Sequence, residues 1–139
     1  MSSMALFAAI AFSAVAPSMV QADEHKDSKM KKCAEVCAAC QVECDSCFDH
    51  CLQLLAKGEK AHLETAKLCA DCAECCKACA TLCARNSALS QPMLECCAKC
   101  CEECAAACEK FPDDKHMAAC AKSCRDCAKE CRSMLKPSK

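Results

Sequence analysis

The chain has 139 residues, with 18 basic and 19 acidic side chains, 22 cysteines, one glycine and neither tryptophan nor tyrosine. A formal net charge of −1 excludes the basic excess that a nucleic-acid surface needs, and the length suffices for one compact domain. With almost no glycine for tight turns and a predominance of Ala, Leu, Lys, Glu and Cys, the composition predicts an all-α protein.

Residues 1–22 carry no charged side chain. Met4–Ala16 is an apolar stretch of the length of a signal-peptide core, Pro17 breaks it, and Val20-Gln21-Ala22 offers small residues at the −3 and −1 positions. The stretch is shorter than the ~20 apolar residues a membrane span requires. It predicts a signal peptide over 1–22, cut before Asp23, and a protein exported to the periplasm with no membrane association afterwards. No Lys or Arg precedes the apolar run, and there is no twin-arginine pair; if the segment is not a working signal, the protein is cytosolic. Residues 23–29 form a charged lead-in, and 30–136 form the folded domain. At a new N-terminus, Asp23-Glu24-His25 would present an amine, backbone amides and an imidazole to Cu(II).

Four cysteine blocks follow. The first comprises Cys33, Cys37, Cys40, Cys44, Cys47 and Cys51, spaced 4, 3, 4, 3, 4. That spacing keeps every thiol on one face of a helix. The second block has Cys69, Cys72, Cys76, Cys79 and Cys83 in its stripe and Cys75 beside it. The third has Cys97, Cys101, Cys104 and Cys108, with Cys96 and Cys100 alongside, and the fourth has Cys120, Cys124, Cys127 and Cys131. The opposite faces are charged, as with Glu35, Glu43, Glu74, Lys77, Glu102 and Lys129.

Gly58 is expected to cap the first helix. Arg85–Pro92 separates the second and third helices, with Pro92 in a first turn. Phe111-Pro112 precedes the fourth helix, for which Asp113 is a candidate N-cap, and Pro137 closes it. The expected helices are 29–57, 60–85, 91–110 and 114–135. Short connections make neighbours antiparallel, which gives an up-down-up-down four-helix bundle with a cysteine-lined core.

In an ordinary bundle this stripe carries Leu, Ile and Val. A lumen of thiols is a weaker core than one of aliphatic side chains, so metal ions bound to thiolates would both fill and stabilise it. Disulfides suit the pattern poorly: cysteines at i, i+4 have nearly parallel Cα–Cβ bonds. The Cys-x-x-Cys pairs that zinc sites use occur here only because 3 and 4 alternate, and no loop wraps an iron–sulfur cluster. Cu(I) prefers soft sulfur ligands and accepts two or three of them. Nine in-stripe pairs, 33/37, 40/44, 47/51, 72/76, 79/83, 97/101, 104/108, 120/124 and 127/131, would set two sulfurs over a common point. With bridging thiolates the capacity approaches one copper per cysteine, on the order of twenty ions. A metallothionein-like Zn/Cd buffer and a disulfide-rich structural module are the alternatives. No catalytic constellation is present, so no enzymatic activity is expected.

The repeated Cys-x-x-x-Cys stripes on four helices resemble the bacterial copper storage proteins, over about residues 30–135. The resemblance implies a bundle filled with multiple Cu(I) ions, often a homo-oligomer (a tetramer), with copper donors or acceptor cuproenzymes as partners and a role in copper supply or detoxification.

Continuing the stripes beyond the cysteines places His62 and Met117 at one end of the bundle with Leu54 and Phe111, and with His50 and His116 nearby. Met30, Met93 and Met134 fall at the other. Imidazole and thioether are neutral and bind Cu(I) more weakly than thiolate. His62 and Met117 are therefore further candidate metal ligands; the three methionines either plug their end or pass copper.

Overall fold

The computed structural model describes residues 17–135, with side chains from Glu24 onward except His25. The apolar stretch Met4–Ala16, the side chains around the expected cleavage point, the His25 imidazole and Pro137 lie outside the described residues.

Four helices form and no strand is present among the described residues: α1 Pro17–Ala56, α2 Leu63–Ala84, α3 Ser90–Cys108 and α4 Lys115–Ser133. A single 3₁₀ turn, Lys60–His62, leads into α2. α1 starts well before the expected residue 29. Nothing between Asp23 and Met30 breaks a helix, and Pro17 is tolerated in a first turn, where its missing N–H has no partner to lose.

The helix ends follow from local chemistry. After α1, Gly58 takes φ +90°, Glu59 N–H bonds to Leu54 O at 3.1 Å and Gly58 N–H to Leu55 O at 2.9 Å. This pair of bonds is the Schellman closure, which needs a left-handed residue. Asn86 repeats it after α2 with φ 48°, and Ser87 and Asn86 N–H bond to Leu82 and Cys83 O, each at 3.0 Å. Ahead of α4 the expected N-cap is displaced by one residue. Asp114, not Asp113, caps the helix; its carboxylate accepts from the backbone N–H of His116 and Met117 at 2.8 and 3.1 Å. With two adjacent aspartates, the turn that starts at Phe111 decides which one reaches the free amides: Asp114 N–H bonds to Phe111 O at 3.1 Å.

The helices pack in a ring, α1 against α2 and α4, and α3 against α2 and α4; the backbones of diagonal helices do not meet. This is the expected antiparallel four-helix bundle. Its interior consists of cysteine and alanine, and Leu94, Met117 and Thr65 are the largest fully buried side chains. Alanines such as Ala66, Ala73, Ala98, Ala105, Ala121 and Ala128 are buried at the seams, where small side chains let helices approach. Outside, Arg132 and Arg125 of α4 make two-pronged bonds to Glu102 and Glu109. These exposed pairs set helix register more than stability.

Candidate metal centre

Each stripe turns its thiols inward because 3 and 4 alternate about the 3.6-residue turn. Nineteen cysteines are buried; Cys75 and Cys100 are half-buried, and Cys96 is exposed. All 22 are free thiols.

The buried sulfurs form overlapping quartets whose atoms lie within 4.8 Å of one another. Near the 3₁₀ turn, Cys47, Cys69, Cys108 and Cys120 come together, one from each helix. Cys120 then joins Cys44, Cys104 and Cys124. Cys44 and Cys124 join Cys40 and Cys72, which join Cys76 and Cys101. Toward the far end Cys37, Cys79, Cys97 and Cys131 again take one thiol per helix. Cys33 and Cys83 lie beyond, within reach of each other. Because the four quartets from Cys47 to Cys101 share corners, one sulfur there is placed to serve two ions.

The in-stripe pairs are not the tightest contacts. Cys72/Cys76, Cys79/Cys83 and Cys97/Cys101 stand at 4.0, 3.9 and 4.0 Å. Sulfurs on different helices come closer: Cys44/Cys124 at 3.5 Å, Cys72/Cys101 and Cys76/Cys101 at 3.6 Å, and Cys37/Cys127 and Cys37/Cys131 at 3.7 Å. The geometry favours ions held between helices over ions held along one.

Protons in this lumen are shared unevenly. Hydrogen bonding from Cys104 above all holds Cys108 down to about 5, that from Cys131 holds Cys33 to about 5, and that from Cys101 holds Cys127 to about 7. Burial pushes the Cys51 thiol up to about 11, and its hydrogen bond with Cys33 pushes Cys83 up to about 11. A stabilised thiolate surrounded by thiols is ready to take a soft cation, and each further ion displaces protons.

The two ends match the sequence reading. At one, His62 is buried and stacks on Phe111 with ring centroids 4.2 Å apart. Its Nε2 lies 3.4 Å from a Glu59 carboxylate oxygen, whereas its buried Nδ1 has no hydrogen-bond partner. The Cys47 thiol donates to the Met117 sulfur at 3.5 Å. His50 stacks on His116 at 4.4 Å and bonds to Asp114 at 2.7 Å. A cleft of about 440 Å³, lined by Leu54, Glu59, His62, Lys110, Phe111 and the Pro112–Asp114 turn, opens here. At the other end Met30 is buried, with Met93 and Met134 packed on the core.

Cys75, Cys96 and Cys100 are the cysteines that are not fully buried, and Cys75 meets Cys100 with sulfurs 3.1 Å apart. The sequence marked these residues as lying beside the stripes; that Cys75 meets Cys100 across α2 and α3 depends on the register of two helices, which periodicity does not encode.

A profile described as copper storage protein matches residues 9–136. Solved structures share the fold. The chain is 31% identical to the Cu(I)-bound copper storage protein BsCsp3, with a TM-score of 0.71, over 78% of this chain and 99% of that one. It is 27% identical to the Streptomyces lividans copper storage protein loaded with 10 copper equivalents, with a TM-score of 0.71, over 78% of this chain and 84% of that one. It is 26% identical to the cytosolic Streptomyces lividans copper storage protein with five coppers, with a TM-score of 0.75, over 84% and 99%. A comparison with curated proteins finds no match.

Proposed function

This chain belongs to the copper storage protein family, and from that premise we propose that it stores Cu(I) on the thiolates of its bundle lumen, at close to one ion per buried cysteine. The observation that carries the reading is the run of corner-sharing quartets of buried sulfur. Two- and three-coordinate Cu(I) on bridging thiolates satisfies such a run; separate tetrahedral zinc sites would compete for the shared corners. The nineteen lumen cysteines are the ligands. The role is storage and exchange with copper donors and acceptor cuproenzymes rather than catalysis.

His62 and Met117 form the uptake end. A buried imidazole nitrogen without a partner costs stability unless something binds it, and the His62 Nδ1 is such an atom beside an open cleft. Met117 already touches the outermost lumen quartet through Cys47. An ion passing from imidazole and thioether to thiolate moves toward tighter ligands at each step.

Residues 1–22 act as an export signal, residues 23–29 as a charged lead-in and residues 30–136 as the copper-binding domain. Among the described residues no helix is long and apolar enough to cross a membrane. Protein recovered from its host is expected to have an intact mass that begins at Asp23; a mass that includes residues 1–22 would place it in the cytosol.

The test of the storage reading is X-ray absorption of the fully loaded, reduced protein. We expect a Cu(I) edge, sulfur-only nearest neighbours and short copper–copper scattering. Predominant nitrogen or oxygen neighbours, or displacement of the copper by equimolar zinc, would refute it.

A further inference from the structure

Three Cys-Cys dipeptides stand out: Cys75-Cys76 on α2, and Cys96-Cys97 and Cys100-Cys101 on α3. In each, the second cysteine faces the lumen and is fully buried. These three lumen thiols meet: Cys76 is 3.7 Å from Cys97 and 3.6 Å from Cys101, and Cys97 is 4.0 Å from Cys101. The first cysteines meet as well, on the outer side of the same seam. Cys75 and Cys100 have sulfurs 3.1 Å apart, and Cys96, one turn before Cys100 on α3, is exposed beside them. The α2/α3 wall therefore carries two thiol trios back to back, one dry and one reaching solvent.

A small apolar side chain would close a helix seam at these positions, and alanine does so elsewhere in this bundle. Two thiols in contact, with a third one helical turn away, supply the two or three soft ligands that Cu(I) takes. We propose that Cys75, Cys96 and Cys100 form a separate surface site for one Cu(I) ion, from which copper exchanges with thiols in solution. The identity of the metal rests on the storage reading; the site itself rests on the approach of Cys75 to Cys100 beside the exposed Cys96. Lumen ions are reached only through the bundle ends or by opening of the helices. The surface ion is open to attack by an incoming thiolate, and Cys96 borders a groove of about 370 Å³ with Pro92, Glu95, Lys99 and Arg132.

The test is alkylation of the folded, reduced protein by a small thiol reagent, read cysteine by cysteine by peptide mapping, before and after Cu(I) loading. In the metal-free protein Cys96 is expected to react first, being exposed. In the loaded protein its rate is expected to fall at least about tenfold, since a thiolate bound to metal is no longer a free nucleophile. A limiting amount of chelator should restore Cys96 before any lumen cysteine. The variant Cys75→Ser/Cys96→Ser/Cys100→Ser should hold about one ion fewer with its helix content unchanged. Cys96 reacting equally fast in loaded and metal-free protein while the lumen is protected would overturn the surface site and leave storage standing. A Cys75–Cys100 disulfide in the loaded protein would also overturn it. Lumen cysteines left unprotected would refute storage itself.

Discussion

Cys72 on α2 and Cys124 on α4 belong to diagonally opposite helices whose backbones do not meet, yet their sulfurs lie 4.0 Å apart. Across the other diagonal Cys47 on α1 and Cys108 on α3 stand at the same 4.0 Å. In the metal-free protein these contacts are single sulfur–sulfur hydrogen bonds. With an ion between them they become cross-links that tie all four helices together.

Copper loading is therefore expected to raise the melting temperature strongly, because ions that bind only the folded chain add their binding free energy to folding. The double variant Cys72→Ser/Cys124→Ser should fold, lose about two ions of capacity and gain less on loading than the parent. Thermal melts by circular dichroism, with metal analysis on the same samples, check this. Equal melting temperatures for loaded and metal-free protein would contradict it.

Asp114 caps α4 and bonds to His50. Burial pushes its carboxyl up, but the His50 bond and the His116 and Met117 amides outweigh this, and the net result lies below its ordinary value. A folded-state value below the unfolded one means that the carboxylate stabilises the fold above about pH 4, the unfolded value. That contribution is lost as pH falls through the folded value. Asp114→Ala is expected to cost about 1 kcal/mol at neutral pH. The gap to the parent should narrow below about pH 4, as read by denaturant unfolding of the metal-free protein across pH. A gap constant down to pH 2 would show that the cap is not the source.

His62→Ala and Met117→Leu both act at the uptake end. Each should slow Cu(I) uptake roughly tenfold or more while leaving final capacity within about one ion, because the lumen thiolates remain. Stopped-flow absorbance of the thiolate-to-copper band, undisturbed by Trp or Tyr, gives both quantities. Loss of many ions with unchanged uptake would assign these residues to storage rather than transfer.

The helical stripes were legible because cysteine marks every inward position: a 3,4 alternation held over Cys33–Cys51 leaves no other regular structure. The ends were legible for the same reason, since extending each stripe by one or two turns reaches His62, Met117, Met30 and Met134. What lay outside reach was register between helices. Periodicity shows that Cys40 and Cys72 face inward but not that they share a quartet with Cys44 and Cys124, because that depends on how far each helix slides along its neighbour. The same limit hid the meeting of Cys75 with Cys100. The Asp113/Asp114 choice turned on a single backbone bond at Phe111, below the grain of any residue pattern, and the early start of α1 reflects a lack of breakers in the segment read as a charged lead-in.

The central claim, that the lumen is a Cu(I) store, is met most directly by anoxic titration of the reduced protein with Cu(I) against a competing chromophoric chelator, counting ions per chain. Saturation on the order of twenty ions, tight throughout, is the predicted result. Saturation at four or five ions, or weak binding beyond the first few, would contradict the account.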